Sequence, residues 1–241
     1  MRYIAPGAAL LAASAFSSSA VAHVSVVSAP SIANKTGIVE LAVPHGCSVG
    51  DAHLDTLRIE VIIPASLTSL RPVYGALGNV AISTETTETG TVTKLIWSKP
   101  AESDLGDDTH YYSVQFRARM PNAPFTKIAL PTTQYCQHGE EEVSVSWSDL
   151  SDSEHDHGST ASANPAPMLM IYPARAPGWN QYTTGDDQHL HDMRIFNDAE
   201  IVWWNDAAYS SNPVTQAMIE ADADVSTLSE IHNNATFWVK Y

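Results

Sequence analysis

Short runs of alternating apolar and polar residues dominate the chain from residue 24 to about residue 173. In "YYSVQFRARMP" the alternate positions Tyr112, Val114, Phe116, Ala118 and Met120 would share one face of a strand. The same period of two recurs, between Pro, Gly, Asn and Asp residues, in "TGIVELAVP", "DTLRIEVIIP", "GTVTKLIWS", "TKIALP", "EEVSVSWS" and "PMLMIYP". No convincing amphipathic helix lies between these runs. The pattern therefore predicts a mainly β protein, an immunoglobulin-like antiparallel β-sandwich, and excludes a parallel sheet linked by helices.

The pattern changes after residue 174. Asn212 is a candidate N-cap before Pro213, and apolar residues follow at helical spacing at Val214, Ala217, Met218 and Ala221. The segments "AEIVWW" and "ATFWVKY" read as strands. We expect residues 174–241 to form a small α+β appendage on the sandwich. Aromatic residues dominate the buried area of small units, which makes its core the simplest place for three tryptophans, Trp203, Trp204 and Trp238.

The first 22 residues have the pattern of a secretory signal peptide. A short positive start precedes apolar and small residues, and "AVA" ends at Ala22. We therefore divide the chain into a signal peptide (1–22), a sandwich domain (23–173) and the appendage (174–241). No other segment has the roughly 20 apolar residues that a spanning helix needs, so we expect no membrane span after cleavage. The expected location is periplasmic or otherwise exported.

Composition narrows the set of partners. The chain has 27 Asp and Glu against 12 Lys and Arg, a formal charge of -15, which disfavours nucleic acid and anionic lipid and is compatible with cations. The sequence lacks a phosphate loop, a dinucleotide fingerprint, a nucleophile elbow and a zincin motif. We therefore do not expect an enzyme.

The chain has two cysteines, Cys47 and Cys136, both in the exported part. An oxidising compartment favours a disulfide between them. The chain-entropy model gives a loop of this length a stabilisation of about 4 to 5 kcal/mol. The alternative is a pair of free thiolates that bind Cu(I).

Cleavage after Ala22 would make His23 the first residue of the mature protein. Its free amine and a nitrogen of its imidazole could then chelate one ion, and such nitrogen donors suit Cu(II). The alternative is that a histidine follows the cleavage site by chance.

Several motifs, taken in order, resemble one family. "AHVSV", "ELAVPHGC", "LRIEVIIP", "QFRARMPNAP", "LPTTQYC", "VSVSW" and "PAPMLMI" are similar to segments of the YcnI-like copper-binding domain family of secreted β-sandwich proteins. The resemblance covers roughly residues 23 to 173. It implies a periplasmic or cell-surface copper protein in which the N-terminal histidine chelates Cu(II), a strand glutamate adds an oxygen ligand and a tryptophan lies close to the ion.

The chain follows this pattern only in part. His23 matches the family's histidine and Trp147 its tryptophan, but Ser113 stands where the family has its glutamate. Our leading substitute ligand is His45, because imidazole is a better copper donor than serine and a disulfide at Cys47 would fix its loop. His45 could equally only cap a turn before Gly46. Further alternatives are the acidic residues near Trp147, namely Glu140, Glu141, Glu142 and Asp149. Consecutive charged residues, however, usually lie on a solvent-exposed surface.

Two other segments carry histidines and are weaker metal candidates. His155 and His157 lie in an acidic, serine-rich segment that reads as a loop, and His189 and His191 would share one face if extended. Without the family resemblance, Trp147 has a simpler interpretation. It would face the same side of its strand as Val145, two residues earlier, and be a core residue.

Three functions fit these observations. The first is a periplasmic copper carrier, chaperone or buffer that works with other periplasmic or membrane copper-handling proteins. The second is a metal-free structural or interaction module of the envelope, which the serine at position 113 favours. The third is a copper-dependent oxidative enzyme, but that chemistry needs a second chelating histidine and a flat substrate face.

Overall fold

The computed structural model of the chain describes residues 23–87, 90–100, 108–150, 164–184 and 193–241. The signal peptide predicted for residues 1–22 and the four histidines at 155, 157, 189 and 191 lie outside these ranges. Within them, no helix is both long enough and apolar enough to cross a membrane.

Strands account for most of the regular structure. They are, in chain order, β1 (Ser25–Val26), β2 (Ser31–Ile32), β3 (Thr36–Val43), β4 (Cys47–Val49), β5 (Ala52–Leu54), β6 (Thr56–Ile63), β7 (Thr68–Pro72), β8 (Asn79–Thr87), β9 (Gly90–Ser98), β10 (Tyr112–Arg119), β11 (Thr126–Ala129), β12 (Thr132–His138), β13 (Glu141–Trp147), β14 (Met168–Tyr172), β15 (Trp179–Thr183), β16 (Ile201–Trp204), β17 (Ala207–Tyr209), β18 (Ser226–Thr227) and β19 (Thr236–Lys240). A 3₁₀ turn covers Met193–Phe196, and helix α1 covers Pro213–Ala221.

Two antiparallel sheets enclose the main core, as the alternating pattern predicts. One has the order β1-β3-β10-β7 and the other β13-β12-β6-β9-β8, while β11-β14-β2 forms a third, small sheet. In β10 the side chains of Val114, Phe116 and Ala118 are buried, and those of Arg117 and Arg119 are exposed. Two short parallel pairs, β2 with β14 and β17 with β18, are the exceptions to the expected antiparallel pairing. The mainly β, sandwich architecture is confirmed.

The C-terminal residues form a separate sheet with its own buried cluster. Its strand order is β15-β19-β16-β17-β18, and Val202, Phe237 and Val239 are fully buried beneath it. Phe125, from the sandwich, belongs to this cluster, and Tyr172 packs against it. The two units therefore share a hydrophobic interface, with Phe125 as its deepest contribution from the sandwich.

Helix α1 begins as the sequence predicts. The Asn212 side chain accepts hydrogen bonds from the backbone N–H groups of Val214 (2.9 Å) and Thr215 (3.5 Å), and proline occupies the first turn. The apolar residues at helical spacing do not all face a hydrophobic core, however. Val214 and Met218 are exposed, and Ile219 is the buried residue of this helix.

The expectation that three tryptophans fill the C-terminal core is correct only for Trp204. Trp204 packs against the buried cluster, as its alternation with Val202 requires. Trp203 and Trp238 are directly opposite each other on the other face of the sheet. Neighbouring residues of a strand face opposite sides, so Trp203 and Trp204 could not both be buried beneath one sheet.

Candidate metal centre

His23 lies two residues before the first paired residue of β1. Ser25 pairs with Ala42 of β3, and Val24 is buried in the main core. By alternation along the strand, His23 and Ser25 belong to the outer face of this sheet. The His23 side chain is half-buried, and its Nδ1 atom is buried with no hydrogen-bond partner among the described groups. A buried polar nitrogen without a partner is costly unless something else binds it.

Trp147 ends β13 and is almost completely buried. It belongs to the same hydrophobic cluster as Val24, the residue next to His23, and Val145 packs against that cluster. Its indole Nε1 is also buried without an acceptor in the described part of the chain. Trp147 is therefore a core residue with one unsatisfied N–H donor.

His45 lies in the turn between β3 and β4, and one of its ring nitrogens forms a hydrogen bond within this turn. Its Nδ1 is 2.6 Å from the backbone oxygen of Gly46. A carbonyl oxygen only accepts, so Nδ1 must carry the proton and donate. In the neutral ring this leaves the lone pair on Nε2, the arrangement in which a histidine ligates a metal.

Two hydrogen bonds and one close backbone approach hold the His45 turn in place. The Gln134 Nε2 donates to the His45 carbonyl oxygen (2.7 Å) and to the Thr56 hydroxyl (2.6 Å) from inside the core. The Gly46 N–H donates to the Asp108 carboxylate (2.6 Å). A Cβ on Gly46 would lie 1.7 Å from the Leu54 carbonyl oxygen, so this close approach requires glycine. Sequence reasoning missed Gln134 and Asp108, which support His45 from distant parts of the chain.

The disulfide that the sequence predicts joins Cys47 and Cys136. Both cysteines are buried, and the Cys47 N–H also contacts the Cys136 Sγ (3.0 Å). The alternative of two free thiolates that bind Cu(I) is therefore wrong, because a disulfide sulfur is not a thiolate ligand. The disulfide ties β12 to the residue that follows Gly46, and so limits the movement of the His45 turn.

Ser113 occupies the strand position at which the family resemblance implies a glutamate. The register places Ser25, Ala42 and Ser113 in one row across β1, β3 and β10. Glu40 has the same parity in β3, but it pairs with Gln115, two residues further along and away from His23. Glu40 therefore does not restore the missing carboxylate in this row.

Three of the four acidic residues considered as alternatives lie at the opposite end of β13 from Trp147. Glu142 is engaged by Arg58 in a two-pronged ion pair (2.8 and 2.9 Å). Glu141 begins β13, about 20 Å along the strand from Trp147, and Glu140 precedes it. Asp149 forms a bridge with Pro165 just beyond Trp147.

His23 and His45 lie at the same end of the sandwich. His23 precedes β1 by two residues, His45 follows β3 by two, and β1 and β3 are antiparallel neighbours. Within the described residues, no three His, Cys, Asp or Glu side chains gather as a metal-binding group. The backbone amine of a first residue is a donor of a different kind, which such side-chain groups do not include.

A family model described as "Domain of unknown function (DUF1775)" matches residues 23–171. The chain belongs to this family. The match confirms the resemblance seen in the sequence, since this domain is the YcnI-like one. The match to the DUF1775 domain begins at His23 itself.

Among solved structures, the chain is similar to an uncharacterized protein from Nocardia farcinica whose crystal structure reveals an immunoglobulin-like fold. The identity is 14%, the TM-score is 0.47, and the alignment covers 62% of this chain and 98% of the other. No curated protein matches the chain.

Proposed function

We propose that this DUF1775 protein binds Cu(II) in an exported compartment through the amine and the imidazole of His23, once the leader has been removed. The observation that carries the proposal is the Nδ1 atom of His23, which is buried and has no partner in the described part of the chain. It belongs to the first residue of the family domain. In the metal-bound protein that nitrogen would gain the partner it lacks.

The donor set suits copper. An amine and an imidazole nitrogen of the same residue can reach one ion together, and nitrogen ligands bind Cu(II) more tightly than the other divalent first-row metals. The disulfide between Cys47 and Cys136 supports an oxidising, exported location. It also removes the thiolates that would favour Cu(I).

His45 is the internal histidine best prepared to add a third nitrogen. Its Nδ1–H is held by the Gly46 carbonyl, which leaves Nε2 as the ligating atom. The Gln134 and Asp108 hydrogen bonds around this turn are the kind of outer contacts that fix the orientation of a ligand. Without such contacts, ordering the turn would reduce the affinity.

With His23 and His45 as donors, the protein would hold copper as cargo, as a carrier, chaperone or buffer, and pass it to other copper-handling proteins. We do not propose a catalytic role.

One observation favours a second candidate, a metal-free interaction module. Ser113 replaces the carboxylate that the family resemblance implies, so the domain could keep its fold and lose the ion. In that case the activity would belong to other surfaces of the protein.

The test exploits the dependence on a free amine. Cu(II) binding is measured by calorimetry for protein whose first residue is shown by mass spectrometry to be His23, and for a matched protein with one added glycine before it. The extension converts the amine to an amide and should abolish tight binding. Equal affinities for the two proteins would place the copper site elsewhere.

A pH series supports the same experiment. The amine and the imidazole must lose protons before they bind, so the affinity should fall from about pH 7.5 to pH 5. An unchanged affinity over this range would contradict the proposed ligands.

A further inference from the structure

The outer face of the C-terminal sheet carries three tryptophans. Trp203 of β16 and Trp238 of β19 are direct cross-strand partners, so their Cβ atoms are about 5 Å apart. Trp179 of β15 pairs with Lys240, which lies two residues after Trp238 and on the same face of β19. Trp179 is therefore a diagonal neighbour of Trp238. We call the face formed by Trp179, Trp203 and Trp238 the tryptophan platform.

Two of the three platform tryptophans are open to solvent, and Trp203 is half-buried. Trp179 is 53% exposed and Trp238 is 44% exposed. Helix α1 packs on this face at its far edge, against β17 and β18, where Ala208 is buried. Exposed clusters of large aromatic side chains on a folded protein mark binding surfaces, and tryptophan is the residue most enriched at their centres.

A cleft of about 480 Å³ adjoins the platform where helix α1 begins. This is the size of a pocket that holds part of a small organic ligand. Its walls contain one aromatic ring, one aliphatic side chain, an ion pair and two neutral polar side chains, contributed by Trp179, Ile201, Glu200, Lys240, Asn212 and Thr215. The cleft therefore combines apolar contact with hydrogen-bonding groups.

The charges of the cleft indicate an uncharged ligand. Lys240 and Glu200 form an ion pair with each other, so the cleft presents one positive and one negative group and no net charge. The chain as a whole carries -15, which disfavours an anionic ligand. A cation would find its best place against carboxylates, and here the Glu200 carboxylate is already neutralised.

Polar side chains alternate with the aromatic rings across the platform. Gln181 lies directly opposite Trp238, and Thr183 lies opposite Thr236, with their hydroxyl oxygens 3.0 Å apart. A matching ligand needs flat apolar faces to stack on indole rings and a rim of hydroxyl groups to bond these side chains. A pyranose ring has both features, whereas a lipid chain has only the first and a nucleic acid adds unwanted charge.

We propose that the tryptophan platform and its cleft bind a neutral oligosaccharide, with the sugar faces stacked on Trp179 and Trp238. This site lies in the C-terminal unit, which the family match to residues 23–171 does not include. It does not depend on copper, and a His23→Ala variant should bind sugar as the parent protein does.

The test is affinity electrophoresis of the full mature protein in native gels that contain a soluble neutral polysaccharide. A panel of xyloglucan, mixed-linkage β-glucan, laminarin, glucomannan and dextran samples different linkages. At least one should retard the protein. Trp238→Ala and Trp179→Ala should each weaken binding by about tenfold, the size of one aromatic stacking contact.

Tyr74→Ala is the matched control, because Tyr74 is an aromatic residue of the sandwich and is 75% exposed. It should leave the retardation unchanged. Circular dichroism of each variant confirms that the fold is retained, which is expected because both replaced tryptophans face away from the buried cluster.

Four outcomes would overturn the proposal. The first is that no polysaccharide of the panel retards the protein, and the second is that the tryptophan variants and Tyr74→Ala behave alike. The third is a dimer in sedimentation that Trp238→Ala dissociates, which would assign the platform to a second copy of this chain. The fourth is binding of phosphatidylcholine vesicles through the same residues, which would assign the platform to a lipid surface.

Discussion

The ring of Phe125, in the turn before β11 of the sandwich, lies 5.2 Å from the ring of Phe237 in β19 of the C-terminal sheet. Phe125 also contacts Tyr182 (5.5 Å) and Phe196 (5.6 Å). Its backbone has a φ of 63°, an unusual conformation for a bulky residue, and its N–H donates to the Ile171 carbonyl (2.7 Å). One residue of the sandwich thus completes the core of the C-terminal unit.

Replacing Phe125 by alanine should therefore destabilise both units together. The buried ring would leave a cavity, and such a change costs about 3 to 5 kcal/mol of unfolding free energy. Urea denaturation followed by circular dichroism and tryptophan fluorescence measures it. Tyr74→Ala, at an exposed position, should stay within about 0.5 kcal/mol of the parent. A loss below about 1 kcal/mol in Phe125→Ala would show that the interface does not depend on this ring.

A buried polar cluster predicts sensitivity to alkali. The Asp55 carboxylate accepts hydrogen bonds from the Lys99 ammonium group and from the Tyr112 hydroxyl (2.9 Å). Burial lowers the pKa of Lys99, but its hydrogen bonds and charge interactions with Asp55 and Tyr112 outweigh burial, and the net pKa is raised. Burial is the main cause that raises the pKa of Tyr112.

Both groups hold their protons more tightly in the folded protein. Their contribution to stability is complete below the unfolded pKa values, about 10 for Tyr and 10.4 for Lys, and is lost as pH rises through the higher folded values. The urea midpoint should therefore fall above about pH 10. Tyr112→Phe should make this fall shallower, whereas Tyr111→Phe, at the exposed neighbouring position, should not. Identical pH profiles for the two variants would contradict the assignment.

The turn that carries His45 gives a prediction about copper. Gly46→Ala places a methyl group against the Leu54 carbonyl, so the turn must shift and His45 must move. Cu(II) affinity should fall by about 10 to 100-fold, as for the loss of a contact that orients a ligand. Gly75→Ala is the matched control, because a Cβ there meets nothing within 4 Å.

A milder change tests the same turn without a steric clash. Gln134→Met keeps the length of the side chain and removes the hydrogen bond to the His45 carbonyl. Its copper affinity should fall by about tenfold, with the disulfide and the fold retained. If neither Gly46→Ala nor Gln134→Met changes the affinity, then His45 is not a ligand and its turn has only a structural role.

The strands were predictable from the sequence where buried apolar residues alternate with more exposed polar residues. Phe116 and Arg117 illustrate this in β10, since one faces the core and the other faces solvent. Strand β12 could not be recognised in this way, because its inward positions include Thr132 and Gln134, which are polar and yet buried. Buried polar residues satisfied by distant partners leave no hydrophobic period in the sequence.

The pairing of strands, in contrast, determines which face of a strand is buried, and the local sequence pattern does not. Period two requires Trp203 and Trp204 to face opposite sides, but only the pairing of Val202 with Val239 determines which side is buried. The supports of the His45 turn were equally invisible, because Gln134 is 89 residues away from His45, and Asp108 is 62 residues away from Gly46. The candidate ligands His23 and His45 could be named from the sequence. Their surroundings required the fold.

The most direct test of the copper proposal is a Cu(II) titration followed by electron paramagnetic resonance, on protein that mass spectrometry shows to begin at His23. We predict a one-to-one complex with nitrogen hyperfine structure, and loss of that complex in His23→Ala. Stoichiometric binding with an unchanged spectrum in His23→Ala, or no stoichiometric binding by the mature protein, would contradict the proposal.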